Sequence, residues 1–207
     1  MLNGWPEWAL SLIFTAVGYV AGSFLSAIAL PQWFLHKDVT QNTKDGNPGT
    51  ANAFLQGGPV CGTAVLLCDL LKGALPVWLC AKVLNPLSLW FVPVLVAPVF
   101  GHAHSCLFRG RGGKCIAVSF GVLLGLLPLW RPLALLAVFY ILFSTLIKVP
   151  DHARRTILSF ACWTVSVVLF VRAGSIACSC AGITAIVVRR HLAAQRQKQR
   201  EDTACAG

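Results

Sequence analysis

Long apolar runs fill most of this chain, each cut by charge or by a Pro/Gly cluster, and several are shorter than a full bilayer crossing. The runs are Ala9 to Leu30, Val60 to Ala81, Leu87 to Phe100, Ile116 to Trp130, Leu133 to Ile147, Thr156 to Val171 and Ser175 to Val188. A hydrocarbon core of about 30 Å takes roughly 20 helical residues. Fusing runs across Arg131-Pro132 or across Arg172 would give helices about 50 Å long at the 1.5 Å helical rise, so the breaks stand. The expectation is an all-α integral membrane protein with seven transmembrane helices. With 57% hydrophobic and 12% charged residues over 207 positions, water is the wrong solvent for the chain. No polar stretch is long enough for a second domain, so residues 1–188 read as one polytopic membrane domain and 189–207 as a basic tail. The first run lacks a basic start and a small-residue cleavage pattern, so it reads as a span rather than a removable signal.

Orientation follows from the bases. An outside N-terminus puts Lys37, Lys44, Arg109, Arg111, Lys114, Lys148, Arg154, Arg155, Arg189, Arg190, Arg196, Lys198 and Arg200 inside, 13 of the 17 Lys and Arg residues. Lys82, Arg131 and Arg172 fall outside and Lys72 lies within a span. The C-terminus is therefore expected in the cytoplasm. All five histidines, His36, His102, His104, His152 and His191, fall in the same inner segments, as do Asp38, Asp45 and Asp151. A site for an anionic, water-soluble substrate belongs on that face.

Several other chemistries are set aside. Cys61, Cys68, Cys80, Cys162, Cys178 and Cys180 lie in apolar runs, where Cys acts as a small hydrophobe. Neither the Cys178, Cys180 pair nor His102 with His104 has a matching partner set, so no metal is expected. The formal charge of +10 is spread over several loops without a nucleic-acid recognition module, which points to the membrane surface and not to nucleic acid.

Three constellations carry chemistry. Lys44-Asp45-Gly46-Asn47-Pro48-Gly49-Thr50-Ala51-Asn52 follows the first run; its glycines permit positive φ and convergent N–H groups, and Asn can donate to a ligand oxygen, although ordinary turns use the same residues. Gly101-His102 leads through Arg109 and Arg111 to Gly112-Gly113-Lys114 at a helix start, where N–H groups, the dipole and a cation together suit phosphate. It is not a Walker loop, because the first Gly and the hydroxyl residue after Lys are missing. Asp69 and Lys72 sit at i and i+3 inside the second run, where ionisable groups need a partner or a polar cavity.

Together these segments resemble one family. Asp69-Leu70-Leu71-Lys72-Gly73-Ala74-Leu75-Pro76 is similar to its D-x-x-K-G-x-x-P segment, Gly101-His102 with Gly112-Gly113-Lys114 to its GH…GGK loop, Gly46-Asn47-x-Gly49-x-x-Asn52 to its first glycine-rich motif, and Gly22-Ser23 to its N-terminal GS pair. In order and spacing, over nearly the whole chain, they resemble the bacterial acyl-phosphate:glycerol-3-phosphate acyltransferases, the PlsY family. The resemblance implies a seven-helix enzyme of the bacterial cell membrane, active at the cytoplasmic face. It would move an acyl group from acyl phosphate to the 1-hydroxyl of glycerol 3-phosphate, giving lysophosphatidic acid for phospholipid synthesis. Its partners would be those two substrates and membrane lipid, with no cofactor. It further implies Asn47 and His102 as catalytic residues, and Lys72, Gly112, Gly113, Lys114 and His191 as phosphate ligands.

The chain departs from the family pattern in places. Asp45 stands for Ser, Leu55 for Arg, Ser105 for Pro, Cys115 for Gly and Ala194 for Asn. Losing one oxyanion donor can cost about 2.7 to 4 kcal/mol in activation free energy. These changes motivate an alternative expectation, a diverged non-catalytic paralogue that binds a phospholipid or an anion or serves as a membrane partner subunit.

Overall fold

The computed structural model describes residues 4–41, 43 and 46–205. Their regular structure is entirely helical: α1 (Glu7–Ser23), α2 (Ser26–Leu35), α3 (Thr50–Cys80), α4 (Phe91–Ala103), α5 (Ile116–Gly125), α6 (Arg131–Ile141) extended by a π-turn (Leu142–Leu146), α7 (His152–Phe170) and α8 (Gly174–Cys205). Each apolar run contains a helix. Three of these are long and apolar enough to cross a bilayer: α3, α7 and the Gly174–Gln197 part of α8. The α1–α2 pair, bent by 46°, makes a fourth if taken as one broken span. The others are shorter, and the 10 residues of α5 reach only about 15 Å.

Two interruptions shape the site. The first run was expected to be one helix, but it stops at Ser23 and restarts at Ser26, leaving the Phe24 and Leu25 backbone outside any helix. In α3 the backbone turns at Gly58, whose φ of 82° and ψ of 178° are a glycine conformation, so the first two turns fold onto the long segment. The Phe54 ring occupies the place where a side chain at Gly62 would go.

Small residues set the helix spacing. A Cβ on Gly18 would stand 3.1 Å from the Pro98 ring, so α1 lies close on α4; one on Gly73 would stand 2.7 Å from the Val118 carbonyl oxygen, so α3 lies close on α5. The core joins Val77, Phe91, Leu123, Phe160, Trp163 and Ile183, all buried. Trp163 hydrogen-bonds to the Pro132 carbonyl at 2.8 Å. Outside, Leu67, Leu71, Leu75, Val165, Val168 and Phe170 are exposed along α3 and α7, a surface suited to lipid.

The connections gather at two ends. At one, Ser88 bonds to Glu7 and Ser175 to the Pro86 carbonyl, joining the N-terminus to the short connections. At the other, Arg190 reaches the 112–113 backbone, Gln195 reaches Asp151, and His152 stacks on His191. The polar loops thus share one end. Helix α8 runs unbroken across the 188/189 boundary between apolar run and basic tail, because 189–197 contains neither Gly nor Pro.

Candidate active site

The helix break between α1 and α2 frees polar groups that must be satisfied within the fold. Ser105 Oγ donates to the Ser23 carbonyl at 2.5 Å, Ser26 Oγ donates to Asp69 Oδ1 at 2.6 Å, and Lys72 Nζ donates to the Phe24 carbonyl at 2.6 Å. Lys72 also pairs with Asp69 Oδ1 at 2.7 Å and lies 2.8 Å from His102 Nδ1. Ser26, Asp69, Lys72 and His102 are all buried. An isolated ion pair in a span would be costly; this one is held by hydrogen bonds from Ser26 and to the Phe24 carbonyl, and Asp69 also lines the larger of two cavities.

His102 lies in the last turn of α4, and its carbonyl accepts from Gly113 N–H at 3.0 Å. Gly113 lies so close to the ring that a Cβ there would collide with His102 Nε2, while one on Gly112 would strike the Ala103 carbonyl. Arg190 from α8 holds the outer side of this turn, donating to the Gly113 carbonyl at 3.2 Å and to that of Gly112. Facing it is the 47–52 loop, where Gly49 N–H and Asn52 Nδ2 each bond to the Asn47 carbonyl at 2.9 Å.

Two cavities meet between these loops. One, of about 590 Å³, is lined at its polar end by Asn47, His102, Lys114 and His152, and continues between α3, α5 and α6 along Leu66, Phe120, Leu124, Leu133 and Tyr140. The other, of about 500 Å³, opens beside Asp38, Thr40, Arg111, Gly112, Lys114 and Arg190. Asn47 and Lys114 line both. The acid of the second cavity, Asp38, accepts from the Thr40 hydroxyl at 2.6 Å; this bond above all, with help from Arg111, holds its carboxyl below the usual carboxylate range. With three cations against this one carboxylate, the second cavity suits an anion. The first-turn N–H groups of α5 add their dipole from the wall formed by Cys115, Ile116 and Ala117.

The geometry refines several expected roles. Asn47, His102, Gly112 and Lys114 come together around the two cavities. Lys72 lines neither cavity; its Nζ faces the Phe24 carbonyl, Asp69 and His102. Gly113 N–H is engaged by the His102 carbonyl, and its lack of a side chain allows the close approach of the His102 ring. His191 is fully buried and stacked on His152 with ring centroids 5.9 Å apart, which puts it one layer behind the cavity wall. Among the departures, Asp45 lies outside the described residues. Leu55 is 79% exposed and lines neither cavity, whereas Ala194 lines the polar one. Arg190, Asp38 and Tyr140 joined the site without having been singled out for it. Among the described residues no cluster of three or more His, Cys, Asp or Glu could hold a metal.

The family model described as glycerol-3-phosphate acyltransferase matches residues 12–199. A glycerol-3-phosphate acyltransferase of Latilactobacillus sakei is 40% identical over 125 residues, 60% of this chain and 60% of that protein. Those of Desulfovibrio desulfuricans and Serratia proteamaculans are 37% and 40% identical over 60% and 56% of this chain. The aligned stretch spans 60%, 55% and 52% of these three relatives' own lengths. The crystal structure of PlsY (YgiH), an integral membrane glycerol 3-phosphate acyltransferase, in its glycerol 3-phosphate form has the same fold, with a TM-score of 0.78 at 20% identity over 94% of this chain and 92% of that one. Its lysophosphatidic acid form gives a TM-score of 0.76 over the same shares. The match over residues 12–199 establishes that this chain belongs to the glycerol-3-phosphate acyltransferase family.

Proposed function

We propose that the protein transfers an acyl group from acyl phosphate to the 1-hydroxyl of glycerol 3-phosphate, releasing lysophosphatidic acid and inorganic phosphate. The observation that carries this reading is the meeting of an anion-suited cavity and an apolar cavity at Asn47 and Lys114. A soluble phosphate ester and a lipid-borne donor would need such a junction. Acyl phosphate is already activated, so the protein has to align hydroxyl and carbonyl, neutralise phosphate and stabilise the tetrahedral oxyanion. The hydroxyl oxygen bonds to the acyl carbon, the acyl–phosphate bond breaks, and the hydroxyl proton leaves with the phosphate; no cofactor enters. Lys114 holds phosphate with Arg111 and the first turn of α5, Asn47 donates to the oxyanion or the substrate hydroxyl, and His102 orients the reacting groups.

In this reading the seven apolar segments all enter the bilayer, the N-terminus lies outside, and the site opens to the cytoplasm of a bacterial cell. Support comes from the shared end of the polar loops and the distribution of bases. The test is purified protein in lipid nanodiscs with palmitoyl phosphate and labelled glycerol 3-phosphate. Labelled lysophosphatidic acid should form only with both substrates, and Lys114→Ala should raise the KM for glycerol 3-phosphate. Absence of product while glycerol 3-phosphate still binds would overturn the reading in favour of a binding paralogue.

A further inference from the structure

An ammonium group carries three N–H donors and no acceptor. Lys72 Nζ has three partners at hydrogen-bond distance: Asp69 Oδ1 at 2.7 Å, the Phe24 carbonyl oxygen at 2.6 Å and His102 Nδ1 at 2.8 Å. The first two can only accept. The third N–H therefore points at His102, and an ammonium can sit at that distance from an imidazole nitrogen only if the nitrogen offers a lone pair. A neutral imidazole with its lone pair on Nδ1 carries its proton on Nε2. Nε2 is on the side of the ring toward Gly113, away from Lys72.

We propose that Lys72 is a positioning residue that fixes His102 as the Nε2–H tautomer, so that His102 presents a hydrogen-bond donor to the substrates. This deepens the acyl-transfer reading and rests on it for the identity of the oxygen that receives the bond, a phosphate or carbonyl oxygen at the polar end of the larger cavity. The construction is specific. The α1–α2 break supplies the Phe24 carbonyl, and Ser26 donates to the same Asp69 oxygen that Lys72 contacts, which orients the carboxylate. His102 Nδ1 is 4.0 Å from Asp69 Oδ1, too long for a direct hydrogen bond, so the carboxylate acts on the ring through Lys72. The device resembles the carbonyl or carboxylate that fixes a tautomer behind a metal-bound histidine, with the polarity reversed: here a donor behind the ring makes its far side a donor.

The test uses the full chain, labelled with [15N]histidine, in lipid nanodiscs, with the His102 ring signals assigned by their loss in His102→Gln. The wild-type ring should show a protonated Nε2 and an unprotonated Nδ1. In the Asp69→Asn/Lys72→Met double variant, which leaves no unpaired buried charge, the ring should become a mixture of tautomers. The same variant should lose at least tenfold in kcat while the KM for glycerol 3-phosphate changes less than threefold. A wild-type ring protonated at Nδ1, or a ring that stays wholly Nε2–H in the double variant, would overturn the assignment; if the variant does not fold, the wild-type spectrum decides alone. An Nε2–H ring dependent on Lys72 in a protein with no acyl transfer would sink the acyltransferase reading and leave the Lys72 assignment standing.

Discussion

Gly113→Ala puts a methyl group where the His102 ring already lies. The new Cβ would be 3.1 Å from His102 Cδ2 and 3.1 Å from the Pro48 carbonyl oxygen, and closer still to Nε2. The ring cannot simply retreat, because its opposite side is held by Lys72 at 2.8 Å, nor can the glycine back away from the His102 carbonyl that its N–H engages at 3.0 Å. Overpacking of this kind costs about 1–3 kcal/mol in stability. The larger effect should be on the reaction. If the displaced ring forfeits 2–3 kcal/mol of transition-state stabilisation, a typical yield of one charge-assisted hydrogen bond, kcat/KM falls roughly 30- to 150-fold. The assay is acyl transfer from palmitoyl phosphate in nanodiscs, with thermal unfolding followed in parallel. Gly110→Ala is the control: its φ of 78° makes any side chain strained, yet no atom lies within 4 Å of the new Cβ, so it should lose stability and keep most of its turnover. A Gly113→Ala protein within threefold of wild type, alongside a His102→Gln protein that is impaired, would refute the steric argument.

Arg190→Lys exchanges a fork across two carbonyls for a single point charge; losing about 1–2 kcal/mol of loop anchoring should raise the KM for glycerol 3-phosphate roughly 5- to 30-fold, read from initial rates. Leu124→Trp should obstruct the apolar cavity and reduce turnover with palmitoyl phosphate more than with a short-chain acyl phosphate, and equal losses would remove the acyl chain from that cavity. In a Cys-free background, Gln41→Cys should react only with reagent added from the cytoplasmic side. His104 is held below the ordinary imidazole range, first by burial and then by the charges of Arg190 and Arg189. Its folded pKa is depressed, so its contribution to stability is present above about pH 6.5 and is lost as pH falls below that value. Thermal inactivation should therefore steepen from pH 7.5 to 5.5, and less so in His104→Gln.

The helical architecture was legible because each apolar run is bounded by charge, Pro or Gly and contains a helix, although only α3, α7 and α8, with the bent α1–α2 pair as a fourth, are long and apolar enough to cross a bilayer. Its interruptions were not equally legible. Nothing between Gly22 and Leu30 resembles a helix stop, since Phe24 and Leu25 continue the apolar run; the hint was the polar pair Ser23 and Ser26 at lipid depth. The run from Ile116 to Trp130 overstated α5, because Pro128 disfavours helix for the residue before it and the chain leaves the helix at Gly125. In the site, the i, i+3 spacing made the Asp69–Lys72 pair readable, since one helix suffices to create it. Contacts between helices depend on packing that no local pattern encodes. Lys72 reaching His102 and Arg190 reaching the Gly112-Gly113 carbonyls are of that kind.

The site stands where helices stop. In a bilayer, backbone groups at a break must find partners inside the protein, so each interruption also attracts a polar side chain. The Ser23 carbonyl holds the Ser105 hydroxyl, and the Phe24 carbonyl holds Lys72, which in turn holds His102. Two departures from the family pattern follow the same logic. Ser105, in place of proline, donates to Ser23 at 2.5 Å and accepts from Phe108 N–H at 3.1 Å, so its hydroxyl organises the turn that a rigid ring would otherwise preset. Cys115, in place of glycine, has a φ of 66°, a left-handed conformation that costs a side-chain-bearing residue about 1–2 kcal/mol. Its buried thiol lies 3.5 Å from the Val99 carbonyl and 3.4 Å from that of Gly113, contacts that offset part of the strain. Both substitutions therefore alter the frame that carries Gly112, Gly113 and Lys114, and leave Asn47 and Lys114 at the junction of the two cavities with His102 at the polar end of the larger one.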